Sequence, residues 1–294
     1  MGPEVMLTWL LCEVNTEMAA KTAALLSIAG YDPTGGAGVL LDTAVFRRFG
    51  YQGLGIITSV TVQNTVGVRA FSCLRNPSVR VQYRVLAEDI GLAGLKVGML
   101  GCRENILPVA RILREQRLVP RVIDPVLRSS SGRWLLEQQA IPGLVSKFRD
   151  LFTVWTPNMD EAGWLSGAGS GTLASMKEAA ERIAGTAGSP VVVKGGHLPK
   201  AAVNVLYDGA LFYLFAKPRL PRDVHGTGCF FSAAILALLA SGAPLVEAVR
   251  RATDTTHLAI REAIRLGRGR LVISPATLAS PGRPLRSPAS AGPH

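Results

Sequence analysis

The residues with the greatest chemical potential stand in a row late in the chain: Gly226-Thr227-Gly228-Cys229, directly ahead of the apolar run Phe230–Leu239. That run reads as a long buried helix, which puts the quartet at its start. Backbone N–H groups at a helix start have no internal partner and carry the positive end of the helix dipole. Glycines at 226 and 228 let such a backbone close around phosphate oxygens. A thiol on the first turn is expected to have a lowered pKa. The same quartet also suits a glycine-rich loop entering a buried helix, with Cys229 a small core residue.

A second glycine cluster, Asp32-Pro33-Thr34-Gly35-Gly36-Ala37-Gly38, follows the apolar run Ala24–Ala29. Strand, sharp turn, then helix (Val39–Phe49) is the order found in ligand loops of α/β proteins. The cluster is neither GxGxxG nor followed by Gly-Lys-Ser/Thr, so a dinucleotide fold or a P-loop is not supported. Packed glycines allow a flat small molecule to approach the backbone closely. A tight βα turn alone would also explain them.

Both clusters need a scaffold, and the chain alternates apolar runs with helical patterns for most of its length. Strands are expected at Ala24–Ala29, Gly53–Val60, Leu95–Met99, Val119–Asp124, Leu151–Trp155 and Val191–Lys194, with an edge strand at Val66–Leu74. Helices are expected at Val39–Phe49, Val79–Ile90, Arg103–Arg117 and Gln138–Phe148, and at 158–166, 172–185, 226–240 and 244–266. Asp208-Gly209 between Ala202–Tyr207 and Ala210–Phe215 signals a hairpin. The loop 125–133 is polar. Repeated βα units imply an α/β fold, a mainly parallel sheet with helices on both sides. Ligands of such sheets bind beyond the carboxyl ends of the strands. Asp32, Gln63, Met99, Asp124, Asn158 and Lys194 all end or follow predicted strands, so they are expected at one rim.

Composition narrows the class. The chain has 294 residues, 48% hydrophobic and 18% charged, which suits one large α/β domain. Residues 1–22 read as an N-terminal extension, 23–272 as the folded domain, and 273–294 as a Pro-, Ser- and Arg-rich tail expected to be disordered. Met6–Cys12 is too short to span a bilayer and no cleavage pattern follows it. The net charge of +11 is scattered over helices with few aromatics, so it suits a solvated surface favourable to phosphorylated ligands rather than nucleic acid. Cys12, Cys73, Cys102 and Cys229 lack metal spacing, and neither a metal cluster nor a disulfide framework is expected; a reducing cytoplasm fits.

Seven segments occur in the order found in hydroxymethylpyrimidine/phosphomethylpyrimidine kinases, and the chain resembles that family of the ribokinase-like superfamily. They are IAGYDPTGGAG (28–38), TVQNTVGV (61–68), KVGML (96–100), IDPVLRSSSG (123–132), TPNMDEA (156–162), VVVKGGH (191–197) and HGTGC (225–229). The resemblance runs over roughly 23–270. It implies a three-layer α/β/α sandwich and ATP- and Mg²⁺-dependent phosphorylation of an aminopyrimidine alcohol, then of its monophosphate, in thiamine biosynthesis. It also implies a cytoplasmic homodimer.

On that resemblance, the backbone of Gly226, Thr227, Gly228 and Cys229 forms the anion hole for the transferring phosphoryl group. Cys229 lies beside the substrate hydroxymethyl group as candidate base, where most of the superfamily carries Asp. Asn158 and Glu161 match the Asn-x-x-Glu motif, with Glu161 holding Mg²⁺ through water; a helix cap would use the same residues. Asp124 helps position metal and phosphates, and Lys194 offers a point charge to the nucleotide. Gln63, whose amide both donates and accepts, faces the aminopyrimidine. Ala37, Thr61 and Met99 line the ring and Asp32 closes the pocket.

The chain departs from the family at Leu40, where Gln is usual, and at Ser130, where Lys is usual in the loop 125–133 that resembles a phosphate lid. Arg128 or Arg133 is the alternative source of positive charge there. Two rival readings are a pyridoxal kinase of the same superfamily and a non-catalytic pyrimidine-binding protein. Some pyridoxal kinases add a lid cysteine, and 125–133 has none.

Overall fold

The computed structural model describes residues 23–274 except 76–77, 130, 170, 197 and 199–200. The expected extension (1–22), the tail beyond 274 and the Ser130 position lie outside the described residues. A single sheet of nine strands forms the centre, in the order β3-β2-β1-β4-β5-β6-β7-β8-β9. β1 (Ala24–Tyr31), β2 (Gln52–Gln63), β4 (Leu92–Val97), β5 (Arg121–Ile123), β6 (Val154–Trp155) and β7 (Val191–Gly195) run parallel. β3 (Val68–Cys73) at one edge, and β8 (Ala201–Tyr207) with β9 (Phe212–Pro218) at the other, are antiparallel.

Strand alternation divides the core into two layers. Leu26, Ile28, Leu95 and Val97 pack on one face with helices α2 (Ser78–Ala87), α3 (Ile106–Glu115), α4 (Ile141–Phe148), α5 (Met159–Ser166) and α6 (Leu173–Ala187). Leu25, Val122, Val154 and Val192 pack on the other with α1 (Gly38–Arg48), α7 (Thr227–Ala240) and α8 (Leu245–Arg261). A strand buried on both faces has no polar side, which is why these segments read as continuous apolar runs. Helix α7 is apolar all round because it is enclosed by the sheet, α1 and α8: every residue from Phe230 to Leu238 is buried.

The elements appear where expected, with shifts at their ends. β2 runs on to Gln63 because it pairs with β3 past the end of the parallel core. The helix expected over 244–266 stops at Arg261, and the chain beyond returns to form β11 (Leu271–Val272), paired with β10 (Val224–His225). Residues this short and this far apart leave no periodic signal.

One expectation is corrected. Cys73 and Cys102 form a disulfide between partners 29 positions apart. The spacing rules read local pairs, whereas this one arises because the end of β3 folds over the turn that follows β4. Cys229 is the free thiol of the described residues.

Candidate active site

The two glycine clusters meet. β1 ends at Tyr31, the turn 32–37 reverses the chain, and α1 starts at Gly38, whose φ of +60° an L side chain rarely adopts. Across from it Gly226 caps α7 with φ +85°, and a Cβ at Gly226 would collide with the carbonyl oxygen of Gly36. The Gly38 N–H acts on the Cys229 thiol and works to lower its pKa. His225 Nε2 lies 2.9 Å from Asp32 Oδ2. The other Asp32 oxygen accepts from the Thr34 N–H at 2.9 Å and the Thr34 hydroxyl at 2.8 Å, and the Gln63 side chain also bonds to Asp32. Burial works to raise the Asp32 pKa, but its bonds to His225, Thr34 and Gln63 bring it below the ordinary 3.8.

The rim beside this junction is built by strand ends. Thr61 donates from β2 to the Tyr31 carbonyl at 2.9 Å, and Thr58 donates to the Met99 carbonyl at 2.5 Å. These bonds fix Met99 against Gly30, where a Cβ would come within 2.9 Å of the Met99 sulfur. Ala37 takes extended backbone ahead of α1. Asp32, Ala37, Thr61, Gln63 and Met99 therefore belong to adjoining strand ends on one rim.

On the other side of the α7 start stand the charged groups. Lys194, on β7, pairs with Asp124 after β5 at 2.5 Å. A Cβ on Gly228 would lie 3.0 Å from Lys194 Nζ and 3.6 Å from Asp124 Oδ2, which sets both directly against the helix start. Ser232, one turn into α7, reaches Asp124 at 3.4 Å. Asn158 and Glu161 form a capping box at the start of α5: Glu161 N–H donates to Asn158 Oδ1 at 2.9 Å and Asn158 N–H to Glu161 Oε2 at 2.8 Å. The capping reading thus holds, and it aims the carboxyl at the site. Burial, with the Asp124 charge added, pushes Glu161 up to about 8, against the pull of Lys194. A carboxyl raised in this way marks a spot short of positive charge. Two buried carboxyls with hard oxygen donors fit Mg²⁺, which commonly takes one or two carboxylates and completes its shell with water and phosphate. Among the described residues no group of three or more His, Cys, Asp or Glu side chains could hold a metal.

The thiol differs from expectation. Burial pushes Cys229 up to about 12; Lys96 opposes this, and Asp124 and Asp42 add to it. The helix start does not prevail because the sulfur is enclosed by the glycine turn and faces carboxylates. In the loop 125–133, Arg128 donates to the Gly132 carbonyl at 2.7 Å and lies about 6 Å from the rings of Trp134 and Trp164, so its guanidinium is engaged in holding its own loop.

Reasoning from the sequence missed His225, Lys96 and Asp42. The last two left a legible sign: a lysine inside the apolar segment Leu95–Leu100, and an aspartate in the apolar stretch Val39–Phe46. Each is an ionisable residue where the pattern demands an apolar one.

The three-layer fold, with a helix start that faces a glycine turn, is that of the ribokinase-like class of small-molecule kinases. The sequence pattern of the family described as phosphomethylpyrimidine kinase matches residues 32–274, and the chain belongs to this family. The hydroxymethylpyrimidine/phosphomethylpyrimidine kinase of Rhizobium meliloti is 41% identical over 255 residues, 85% of this chain and 95% of the relative. That of Aquifex aeolicus is 37% identical over 246 residues, 83% and 96%. Among solved structures, phosphomethylpyrimidine kinase from Clostridium difficile superposes with TM-score 0.71 at 33% identity, covering 81% of this chain and all of that one (100%). Bacillus subtilis pyridoxal kinase in an ADP complex superposes with TM-score 0.79 at 31% identity, covering 87% and 98%.

Proposed function

We propose that this kinase transfers the γ-phosphoryl group of ATP to the hydroxymethyl group of 4-amino-5-hydroxymethyl-2-methylpyrimidine and then to the resulting monophosphate, supplying the diphosphate for thiamine biosynthesis. The observation that carries the reading is the closure of the 32–38 turn onto the α7 start, with Gly226 against the Gly36 carbonyl, His225 on Asp32 and Lys194 beside Gly228. Phosphoryl transfer asks mainly for positioning and charge neutralisation. The N–H groups of Gly226–Cys229 receive the transferring group, and Lys194 adds a point charge at the same place. Asp124 and Glu161 would hold Mg²⁺, which neutralises phosphate charge when bound; Asn158 keeps Glu161 in place.

Gln63 meets the amino and ring nitrogens, with Ala37, Thr61 and Met99 around the ring and Asp32 bracing the Gln63 amide. Cys229 faces the hydroxymethyl group. The reaction at this end moves the hydroxyl proton to the sulfur as oxygen bonds to phosphorus and the bond to ADP breaks. The neutral thiol of the free protein cannot accept that proton, so the sulfur must first pass its own proton to solvent water. We further read the protein as a homodimer that binds neither nucleic acid nor membrane, and as cytoplasmic by its family although the Cys73–Cys102 disulfide is of a kind rare in that compartment; among the described residues no helix is long and apolar enough to cross a membrane.

The test is incubation with MgATP and the hydroxymethylpyrimidine, with mono- and diphosphate resolved by mass and pyridoxal run in parallel. Successive formation of both phosphates is expected. Faster turnover of pyridoxal would reassign the substrate, and binding without ATP turnover would leave a non-catalytic pyrimidine-binding protein.

A further inference from the structure

A disulfide anchors the turn that carries Met99, and the proposed chemistry does not use it. Cys73 ends β3 and Cys102 ends the turn after β4, with Cα atoms 6.1 Å apart. The turn 99–102 crosses the neighbouring strands in steps. Thr58 on β2 donates to the Met99 carbonyl at 2.5 Å. Gly101, with φ +78°, sits over Ser59; a Cβ there would collide with the serine hydroxyl and lie 3.5 Å from Cys73 Sγ. Cys102 then bonds to Cys73, which pairs with Ser59 across the β2–β3 ladder. The backbone that carries Met99 is thus tied to the edge of the sheet within a few residues.

The surroundings of the bond suit its open form as well. Asn105, ahead of α3, donates to the Leu74 carbonyl at 3.1 Å and the Leu100 carbonyl at 2.9 Å, so the two segments stay joined when the sulfurs part. The same amide nitrogen lies 3.3 Å from Cys73 Sγ. Ser59 Oγ and Asn105 Oδ1 are buried without a hydrogen-bond partner, in residues 0% exposed. Leaving such groups unpaired is costly. Disulfide sulfurs have no proton to offer them, whereas a thiol has one. Access is one-sided: Cys102 is buried, and Cys73 is half-buried on a strand that pairs along one edge only. Disulfides are rare in a reducing compartment, and those found there are commonly transient and redox-sensing.

We propose that Cys73–Cys102 is a redox modification site that reacts with a small dithiol and sets the grip of the kinase on its pyrimidine. One thiolate of the dithiol attacks Cys73 Sγ; the bond to Cys102 breaks, and Cys102 leaves as a thiolate that takes up a proton. The second thiol of the reductant displaces Cys73 as it closes its own disulfide. Two electrons and two protons pass from the dithiol to the protein. The freed sulfurs separate to the roughly 3.5–4.0 Å of non-bonded atoms. That displacement reaches Met99 through Leu100 and Gly101, and the ring loses a fixed neighbour. The inference rests on the reading in which Met99 lines the pyrimidine.

The experiment compares the wild-type chain equilibrated with oxidised glutathione, the same chain treated with dithiothreitol, and the chain returned to oxidised glutathione. Iodoacetamide labelling, read peptide by peptide by mass spectrometry, should spare Cys73 and Cys102 in the oxidised arm and mark both after reduction. On reduction KM for the hydroxymethylpyrimidine should rise about 3- to 10-fold, with KM for ATP within about twofold, and reoxidation should reverse the change. C73S/C102S should show the reduced values and ignore dithiothreitol. Labelling of both cysteines in the oxidised arm, or equal pyrimidine KM values in the two labelled states, overturns the proposal. So does a double variant that still responds to dithiothreitol. Amide deuterium exchange over residues 98–102 needs neither substrate nor variant. It should quicken on reduction, and unchanged exchange overturns the proposal even if C73S/C102S does not fold. A wild-type protein that phosphorylates no hydroxymethylpyrimidine in either redox state sinks the functional reading alone, since labelling and exchange still judge the switch.

Discussion

His225 and Asp32, 193 positions apart, share a 2.9 Å hydrogen bond that ties the start of α7 to the glycine turn after β1. The bond joins the two halves of the cleft, the one read as receiving phosphate and the one read as receiving the ring. Replacing His225 by Ala should lower stability by about 1–2 kcal/mol and raise KM for both substrates. H225Q, whose amide can still donate to Asp32, should recover most of the loss. Steady-state kinetics decide: unchanged KM values in a folded H225A protein would reduce the bond to local packing.

The same carboxylate gives a pH dependence. Asp32 has a lowered folded pKa, so its contribution is present above the ordinary 3.8 and fades as pH falls through the lower folded value. In D32N that acid-side loss should be absent, making its unfolding curves below pH 4 flatter with pH than those of wild type (about pH 4 being where the unfolded carboxyl titrates). Equal slopes would show that Asp32 is not a titrating support of the fold.

Glu161 works in the opposite sense. Its folded pKa of about 8 lies above the ordinary 4.5, so the folded state holds the proton more tightly and stability declines as pH rises between these values. E161Q keeps an acceptor for the Asn158 N–H and cannot ionise. It should melt at or above the wild-type temperature at pH 8 while losing turnover by about 10²-fold, in the range of a lost transition-state charge contact. A variant destabilised at pH 8 would show that the carboxyl is charged and well paired in the free protein.

How much of this was legible in the sequence follows from the range of each signal. The parallel strands are enclosed on both faces, so each appears as an uninterrupted apolar run, and the strand-end residues Asp124, Asn158 and Lys194 could be assigned to one rim from topology alone. The helix start at Gly226 is local chemistry and was equally plain. Contacts across long separations were not: His225 with Asp32, Cys73 with Cys102, and β10 with β11 depend on which loops fold over which. The Cys229 thiol was misjudged because the helix dipole is visible in sequence whereas enclosure by a loop nearly two hundred residues away is not.

Gln63 offers a selective probe. It stands at the last position of β2 with its side chain against Asp32, on the ring side of the cleft and away from Lys194. Q63A should raise KM for the pyrimidine far more than KM for ATP, by about 10- to 100-fold, the scale of one or two buried hydrogen bonds to a ligand. Equal changes in both constants would take Gln63 out of the pyrimidine site.

Lys194 tests the other side. Its ammonium bridges Asp124 and the α7 start, where a Cβ on Gly228 would come within 3.0 Å. In K194M the Asp124 carboxylate loses its partner in a buried setting, so part of any loss of stability comes from an unpaired charge rather than from the contact removed. K194M/D124N removes both charges and restores that balance. If Lys194 neutralises the transferring phosphoryl group, the double variant should regain melting temperature over K194M, yet kcat should stay below that of D124N alone by about 10²–10³-fold. A kcat equal to that of D124N, together with a recovered melting temperature, would make Lys194 a partner of Asp124 and nothing more.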